Sequence, residues 1–159
     1  VYTELVFELE STTGTPAEYI ARRTQTVGEM FLKRVERDGD RAAFHFKESA
    51  KWQPVSWNAF SERAGAVASY LLGLGLQLQD KVCMVGSTGP AWCYCDVGGL
   101  LAGAVTLGAY PTLTPKQLAY ILDHADTKVA FVEGREEIEK ILAHRGELTK
   151  LEKVVVWNT

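Results

Sequence analysis

The chain has 159 residues, 47% of them hydrophobic and 23% charged, with a net charge of -3. Those values fit one globular domain with a substantial core. They exclude the broad basic surface of a nucleic-acid binder, and the whole-chain charge gives no support for docking on anionic lipid, since the short basic pairs Arg22-Arg23 and Lys33-Arg34 are followed by acids.

The N-terminus has neither a basic segment nor a long apolar run, so it does not read as a secretory signal. Tyr2 to Glu10 alternates in part and reads as a strand or ordered extension; Glu10 to Ala17, rich in Ser, Thr, Gly and Pro, reads as a loop. Thr26-Val27-Gly28-Glu29 is a capping box. The helix behind it places Val27, Met30, Phe31 and Val35 at helical spacing and ends near Asp38-Gly39, with Gly39 expected in the left-handed conformation. Arg41 to Lys47 and Trp52 to Ser56 suit a β-hairpin turning through Glu48 to Lys51. Ser56 then caps a helix whose apolar face is Phe60, Ala64, Val67, Ala68, Leu71 and Leu72, stopped by Gly73 and Gly75.

From Lys81 onward the pattern becomes a strand–helix alternation. Strands are expected at Lys81 to Val85, Val105 to Leu107, Lys128 to Val132 and Lys153 to Trp157. Helices are expected at Ala91 to Ala102, from Thr114-Pro115-x-Gln117 to His124-Ala125, and from Arg135 to His144 with Ile138, Ile141 and Leu142 on one face. The fold class is α/β: a mostly parallel sheet with helices on both faces and an N-terminal hairpin or strand extension. Pro90 to Ala109 holds a single charge, Asp96, and is long enough to span a bilayer. Its glycines and its leading proline divide it more naturally into a buried helix and a buried strand.

Ligands in such a sheet bind beyond the C-terminal ends of the strands. Gly86-Ser87-Thr88-Gly89-Pro90 lacks the Gly-Lys-Ser/Thr of a phosphate loop and the GxGxxG of a dinucleotide site. It reads as a tight turn with Thr88 capping a helix in preference to a phosphate cradle. Tyr110 is read as packing under the turn that Pro111 and Thr112 direct, with a pocket wall as the alternative. Trp52, Trp57 and Trp92 read as core or subdomain-contact anchors. His45, His124 and His144 lie on separate elements with no triad spacing and read as surface or cap-adjacent groups. The acids of Glu133 to Glu139 suit a helix start better than acid–base catalysis. Cys83, Cys93 and Cys95 do not form a disulfide framework. They read as buried thiols in a reducing compartment, and Cys93-x-Cys95 is not half a metal site, because neighbours two apart on a helix do not face each other.

The wording of several segments carries a resemblance. FLKRVERDGDRAAF, then VSWNAFSERAGAVASYLLGLGLQLQDKV, VGSTGPAW and above all AGAVTLGAYPTLTPKQLAYIL resemble the adenylate-forming (AMP-binding) enzymes, and within them a bacterial long-chain fatty acid–CoA ligase (fatty acyl-CoA synthetase). Gln79 stands where that family usually has glycine, and Thr88 where it often has Asn. The resemblance covers roughly Thr26 to Trp157. It implies a division into an extension, residues 1–25, and the first part of the large N-terminal domain, residues 26–159. For the complete enzyme it implies ATP, Mg2+ and coenzyme A as cofactors, fatty acid and coenzyme A as substrates, and a cytoplasmic location that extends to the membrane periphery. The family's Pro-Lys-Gly loop, its aromatic-Gly-x-Thr-Glu motif, its ribose-binding Asp and its C-terminal lysine have no counterpart in the chain. No catalytic, cofactor-binding or metal residue is therefore carried over, and the chain alone is expected to be inactive and prone to self-association. The start at Val1 and the stop after KVVVW read as a piece cut from a longer protein. The rival readings are a ligase for another carboxylic acid (aryl, medium-chain or amino acid) and a non-catalytic α/β binding or regulatory module.

Overall fold

The structure is a computed structural model that describes residues 26–158. The expectations for Tyr2 to Glu10 and Glu10 to Ala17 lie outside the described residues.

Helix α1, Val27–Asp38, opens on the expected box: Thr26 Oγ1 accepts the Glu29 amide and the Glu29 carboxylate accepts the Thr26 amide at 2.7 Å. Its core face is narrower than its spacing implied. Phe31 is buried, whereas Val27 and Met30 are mostly exposed. Gly39 is not left-handed. It is held instead by close approach, because its carbonyl accepts the Asn58 amide at 2.8 Å and an added Cβ would lie 3.0 Å from the Asn58 side chain.

Strands β1, Ala42–Glu48, and β2, Lys51–Ser56, form the expected antiparallel hairpin as a separate two-stranded sheet. Its turn is only two residues, Ser49 and Ala50, with φ of 48 and 64. That is the mirror-image turn whose twist matches a hairpin. Helix α2, Trp57–Gly73, is capped by Ser56, whose hydroxyl accepts the Ala59 amide. Phe60, Ala64, Ala68 and Leu71 are buried as the spacing predicts, while Leu72 points outward.

The main sheet contains β3, Lys81–Val85; β4, Val105–Ala109; β5, Thr127–Val132; and β6, Lys153–Val156. All pairings are parallel and the order is β4-β3-β5-β6. Helices α3, Pro90–Leu101, α4, Pro115–His124, and α5, Arg135–Leu142, make the crossovers. The expected membrane-length stretch is thus split between α3 and β4, and Asp96 within it accepts the Thr106 hydroxyl at 2.6 Å. Among the described residues no helix is long and apolar enough to cross a membrane.

Two cores sandwich this sheet. On one face Leu118 and Leu122 of α4 and Ile141 of α5 pack on Cys83, Val85, Ala130 and Val132. On the other, Ala68 and Leu71 of α2 and Cys95 of α3 pack on Val82, Met84, Val129 and Phe131. A third cluster, built around Phe31, Phe60 and Val55, fastens α1 and the hairpin to the outer side of α2 and α3. The expected helices on both faces of a parallel sheet are therefore present.

Candidate functional site

Because every strand of the main sheet is parallel, Val85, Ala109, Val132 and Val156 all end at one edge, and the connecting loops converge there. The chain leaves β3 toward the face covered by α2 and α3, and leaves β5 toward the face covered by α4 and α5. The point between β3 and β5 is the topological switch point, where doubly wound sheets open a ligand crevice.

Here that crevice is filled from within. Glu133, just after β5, accepts the Ser87 amide on its carboxylate at 2.7 Å. Trp157 lies against Gly86, so a Cβ on Gly86 would sit 2.7 Å from both Trp157 and Glu133. Only glycine leaves room for that closure. The Glu133–Ser87 bond joins residues far apart in sequence, and no local pattern announces it.

Two openings flank the plug. The wider, about 660 Å³, lies between the strand ends and the hairpin and is lined by Phe46, Glu48, Arg63, Tyr94 and Glu133 among others. The narrower, about 250 Å³, is bounded by Thr88, Trp92, Gly108 and Tyr110, with no charged side chain in its lining. Tyr110 is 78% exposed, so it is a wall of this opening and does not pack under its turn. The reason is the turn's anchor on the other side: the Lys140 ammonium donates to the Pro111 carbonyl and pairs with Glu136 at 2.8 Å, which fixes the loop and leaves the ring outside.

The loop from Gly86 to Pro90 is a tight turn as expected, but Thr88 does not cap α3. Gly89 occupies the N-cap, with no side-chain hydrogen bond, and Pro90 follows it in the first turn. Thr88 is exposed on the rim. A triphosphate does not fit this loop. Its Ser87 amide is taken by a carboxylate, and the wider opening sets two carboxylates, Glu48 and Glu133, against one cation, Arg63. Among the described residues no group of three His, Cys, Asp or Glu side chains is placed to hold a metal ion.

The remaining sequence candidates are scattered. His45 is exposed on β1, His124 stacks on Tyr120 with ring centroids 5.4 Å apart, and His144 bonds Glu147 at 2.8 Å. Glu137 turns back to cap α5, accepting the Gly134 amide at 3.0 Å, which accounts for the acidic run as a helix start. Trp57 belongs to the Phe31–Phe60 cluster and Trp92 lies partly in the core, but Trp52 is 67% exposed on the outer side of the hairpin and is outside the core clusters of the described residues. Cys83 and Cys95 are buried, and burial pushes both thiols up to about 12, Asp96 adding to the effect at Cys95. Cys93 faces the cluster on the other side of α3 and is half-buried, its thiol raised first by burial and then by Asp96.

A parallel sheet in this order, with its first strand between the second and third and with helices on both faces, defines a doubly wound α/β domain. Comparison with known proteins narrows the class. The family model described as AMP-binding enzyme matches residues 31–159, and the chain belongs to that family. It is 31% identical over 139 residues to the long-chain-fatty-acid–CoA ligase ACSBG1 of Mus musculus, covering 87% of this chain and 19% of the mouse protein. It is 32% identical to the Homo sapiens protein of the same name, covering 83% of this chain and 18% of that one. The chain thus spans about a fifth of the length of the curated relatives it matches. Among solved structures, the Mycobacterium tuberculosis fatty acyl CoA synthetase shares the fold with a TM-score of 0.72 at 19% identity, over 82% of this chain and 26% of that one. The N-terminal domain of FACL13 from the same organism does so with a TM-score of 0.74 at 18% identity, over 83% of this chain and 34% of that one.

Proposed function

We propose that this chain is the first part of the large N-terminal domain of a long-chain fatty acid–CoA ligase, residues 26–159, preceded by an extension, residues 1–25. The observation that carries the reading is the coincidence of a family match over residues 31–159 with relatives whose printed name is long-chain-fatty-acid–CoA ligase. In the whole protein the fatty acid is activated with ATP to an acyl-adenylate and pyrophosphate, and the thiol of coenzyme A then displaces AMP. Mg2+ offsets the phosphate charge in such a reaction.

This chain's own contribution is scaffold. The plug at the switch point and the acid-rich opening beside it support the reading that the phosphate-binding groups lie on other parts of the protein. No residue of the chain is assigned a catalytic, cofactor-binding or metal role. The protein works in the cytoplasm, reaching the membrane periphery where its substrates partition. Leu78, Tyr120 and Leu142 are exposed apolar side chains through which the isolated segment self-associates.

ATP–pyrophosphate exchange by the full-length protein, run across fatty acids of increasing chain length and an aryl acid, tests the reading. Exchange that rises with chain length is expected; equal or better exchange with the aryl acid would move the assignment to another acid. Acyl-adenylate formation by purified residues 1–159 would refute the scaffold role.

A further inference from the structure

The outer edge of the main sheet carries an apolar shelf. β6 is the last strand in the order β4-β3-β5-β6, so among the described residues it has a strand neighbour on its β5 side only. Val154 pairs with Ala130 and Val156 with Val132, which places both valines on the α4–α5 face. Val156 packs against the core of that face, whereas Val154 is 38% exposed.

Helix α5 supplies the wall of the shelf. Ile138 and Ile141 turn toward the sheet. Lys140 reaches the Pro111 carbonyl in the loop before α4, so its flank of the helix faces α4. Leu142 lies two positions further on, about 200° around the axis of an α-helix. It therefore sits on the flank away from α4, above the free edge of β6, and is 61% exposed. It is the last residue of α5, at the end of the sheet where β6 starts and Val154 lies. The other end of the same flank is polar, with Arg135 and Glu139 paired at 2.8 Å.

The topology specifies what fits there. The steps from β4 to β5 and from β5 to β6 run toward this edge, and both cross on the α4–α5 face. The step from β3 to β4 runs the other way and crosses on the α2–α3 face. That is a single handedness, the rule for parallel crossovers. A further step past β6 must place its helix on the α4–α5 face, beside α5 and over β6. On the functional reading above, on which this inference rests, the protein continues past residue 159, and the matched stretch is only 19% of the mouse relative.

We propose that the first helix after residue 159 packs on this shelf, with apolar side chains against Leu142 and Val154, and that the strand behind it pairs with the free edge of β6. The occupant is an amphipathic helix of this same protein, not a second copy. Two side chains fall far short of the roughly 800 Å² per partner that a stable interface between molecules buries. A helix joined to β6 by a short connection needs no such area, because the connection itself keeps it close.

Photo-crosslinking in the full-length protein tests the proposal, with p-benzoylphenylalanine in place of Leu142 and the products mapped by mass spectrometry. The expected product is an intramolecular link from position 142 to the first helical segment after residue 159. A link between two copies, a link to a later part of the chain, or no link would each overturn the proposal. Maleimide labelling of Leu142→Cys and Val154→Cys, quantified on the peptide that carries each position, is an independent check. Both should react at least roughly tenfold more slowly in the native protein than in urea, as covered sites do. Native labelling at the unfolded rate would overturn the cover. ATP–pyrophosphate exchange on the same variants separates the two ideas. Exchange with long-chain acids beside unprotected cysteines removes this inference and leaves the functional reading standing; protected cysteines with exchange only for an aryl acid do the reverse.

Discussion

The two faces of the main sheet are packed differently. On the α4–α5 face the contacts are made by large side chains, Leu118, Leu122 and Ile141, each almost fully buried. On the α2–α3 face the backbones themselves come together. A Cβ on Gly98 would lie 2.6 Å from Val67 and 2.8 Å from the Ala64 carbonyl oxygen of α2, and one on Gly99 would lie 2.6 Å from Thr106 in β4. Both faces bury large side chains, Leu71, Met84 and Phe131 on the α2–α3 face among them, but on that face glycines also let backbone approach closely. The α4–α5 face suffers from a loss of atoms; the α2–α3 face is intolerant of added atoms at Gly98 and Gly99.

Adding atoms to the tight face should have the largest effect. Gly98→Leu must force α3 away from α2, and neither the Ala64 carbonyl nor Val67 can retreat without moving its helix. The expected result is loss of the cooperative thermal transition, beyond the roughly 1–3 kcal/mol of ordinary overpacking. A cooperative melt within a few degrees of wild type would show that the helices are not packed backbone to backbone. Removing atoms from the filled face comes next. Leu122→Ala should cost about 2–5 kcal/mol in urea unfolding with an unchanged slope, as cavities in well-packed cores do. A smaller loss would mean that α4 collapses into the space, making the two faces more alike than they look.

Two changes at the opposite edge of the sheet sharpen the comparison with smaller effects. Gln79 has a φ of 66, a conformation that β-carbon-bearing residues adopt at a cost, and its amide donates to the Gly103 carbonyl at 2.8 Å. Gln79→Gly should therefore stabilise the fold by about 0.5–1 kcal/mol, the relief of strain being offset in part by the freer unfolded chain. Destabilisation would show that the Gln79 side chain makes a contact worth more than the strain. Asp80 meets Lys128 of β5 at 2.7 Å. The Lys128 ammonium, followed by the Gln77 amide, lowers the Asp80 pKa against an opposing effect of burial, and Asp80 in turn raises that of Lys128. A depressed carboxylate contributes stability that is present above its unfolded value, about 4, and is lost as pH falls through the folded value. The raised lysine contributes stability present below its unfolded value and lost as pH rises through the folded one. Asp80→Asn should flatten both limbs of the stability–pH curve; an unchanged acid limb would remove the ion pair from the account.

Most of this architecture is legible in the sequence where it depends on local rules. Thr26, Ser56 and Thr114 cap their helices as their spacing announces, and the change from hairpin to strand–helix alternation is visible as a change of period. What depends on contact across the fold is not. Nothing near Glu133 indicates that its carboxylate closes onto Ser87, and nothing near Tyr110 indicates that Lys140 holds its loop from α5. Met30 and Leu72 fit helical apolar faces and are exposed, because spacing sets a direction and only the neighbouring element decides what covers it. Gln79 is a different case. Its place at a position where the resembling family usually has glycine is readable from the sequence, and the left-handed backbone supplies the physical reason.

The strand order has a consequence for how the chain acquires its structure. Central strand β3 is the earliest of its sheet to be synthesised, yet it must pair with β4 on one side and, much later, with β5 on the other; Val82 meets Thr106 and Val129. Until β5 emerges, one edge of Val82 to Val85 has no partner, and these residues are all fully buried at the end. Non-local pairing of this kind slows folding and prolongs exposure to aggregation. The hairpin and α2 are complete before that interval begins, so the third hydrophobic cluster can assemble early and hold the waiting strand beside the helices that will cover it.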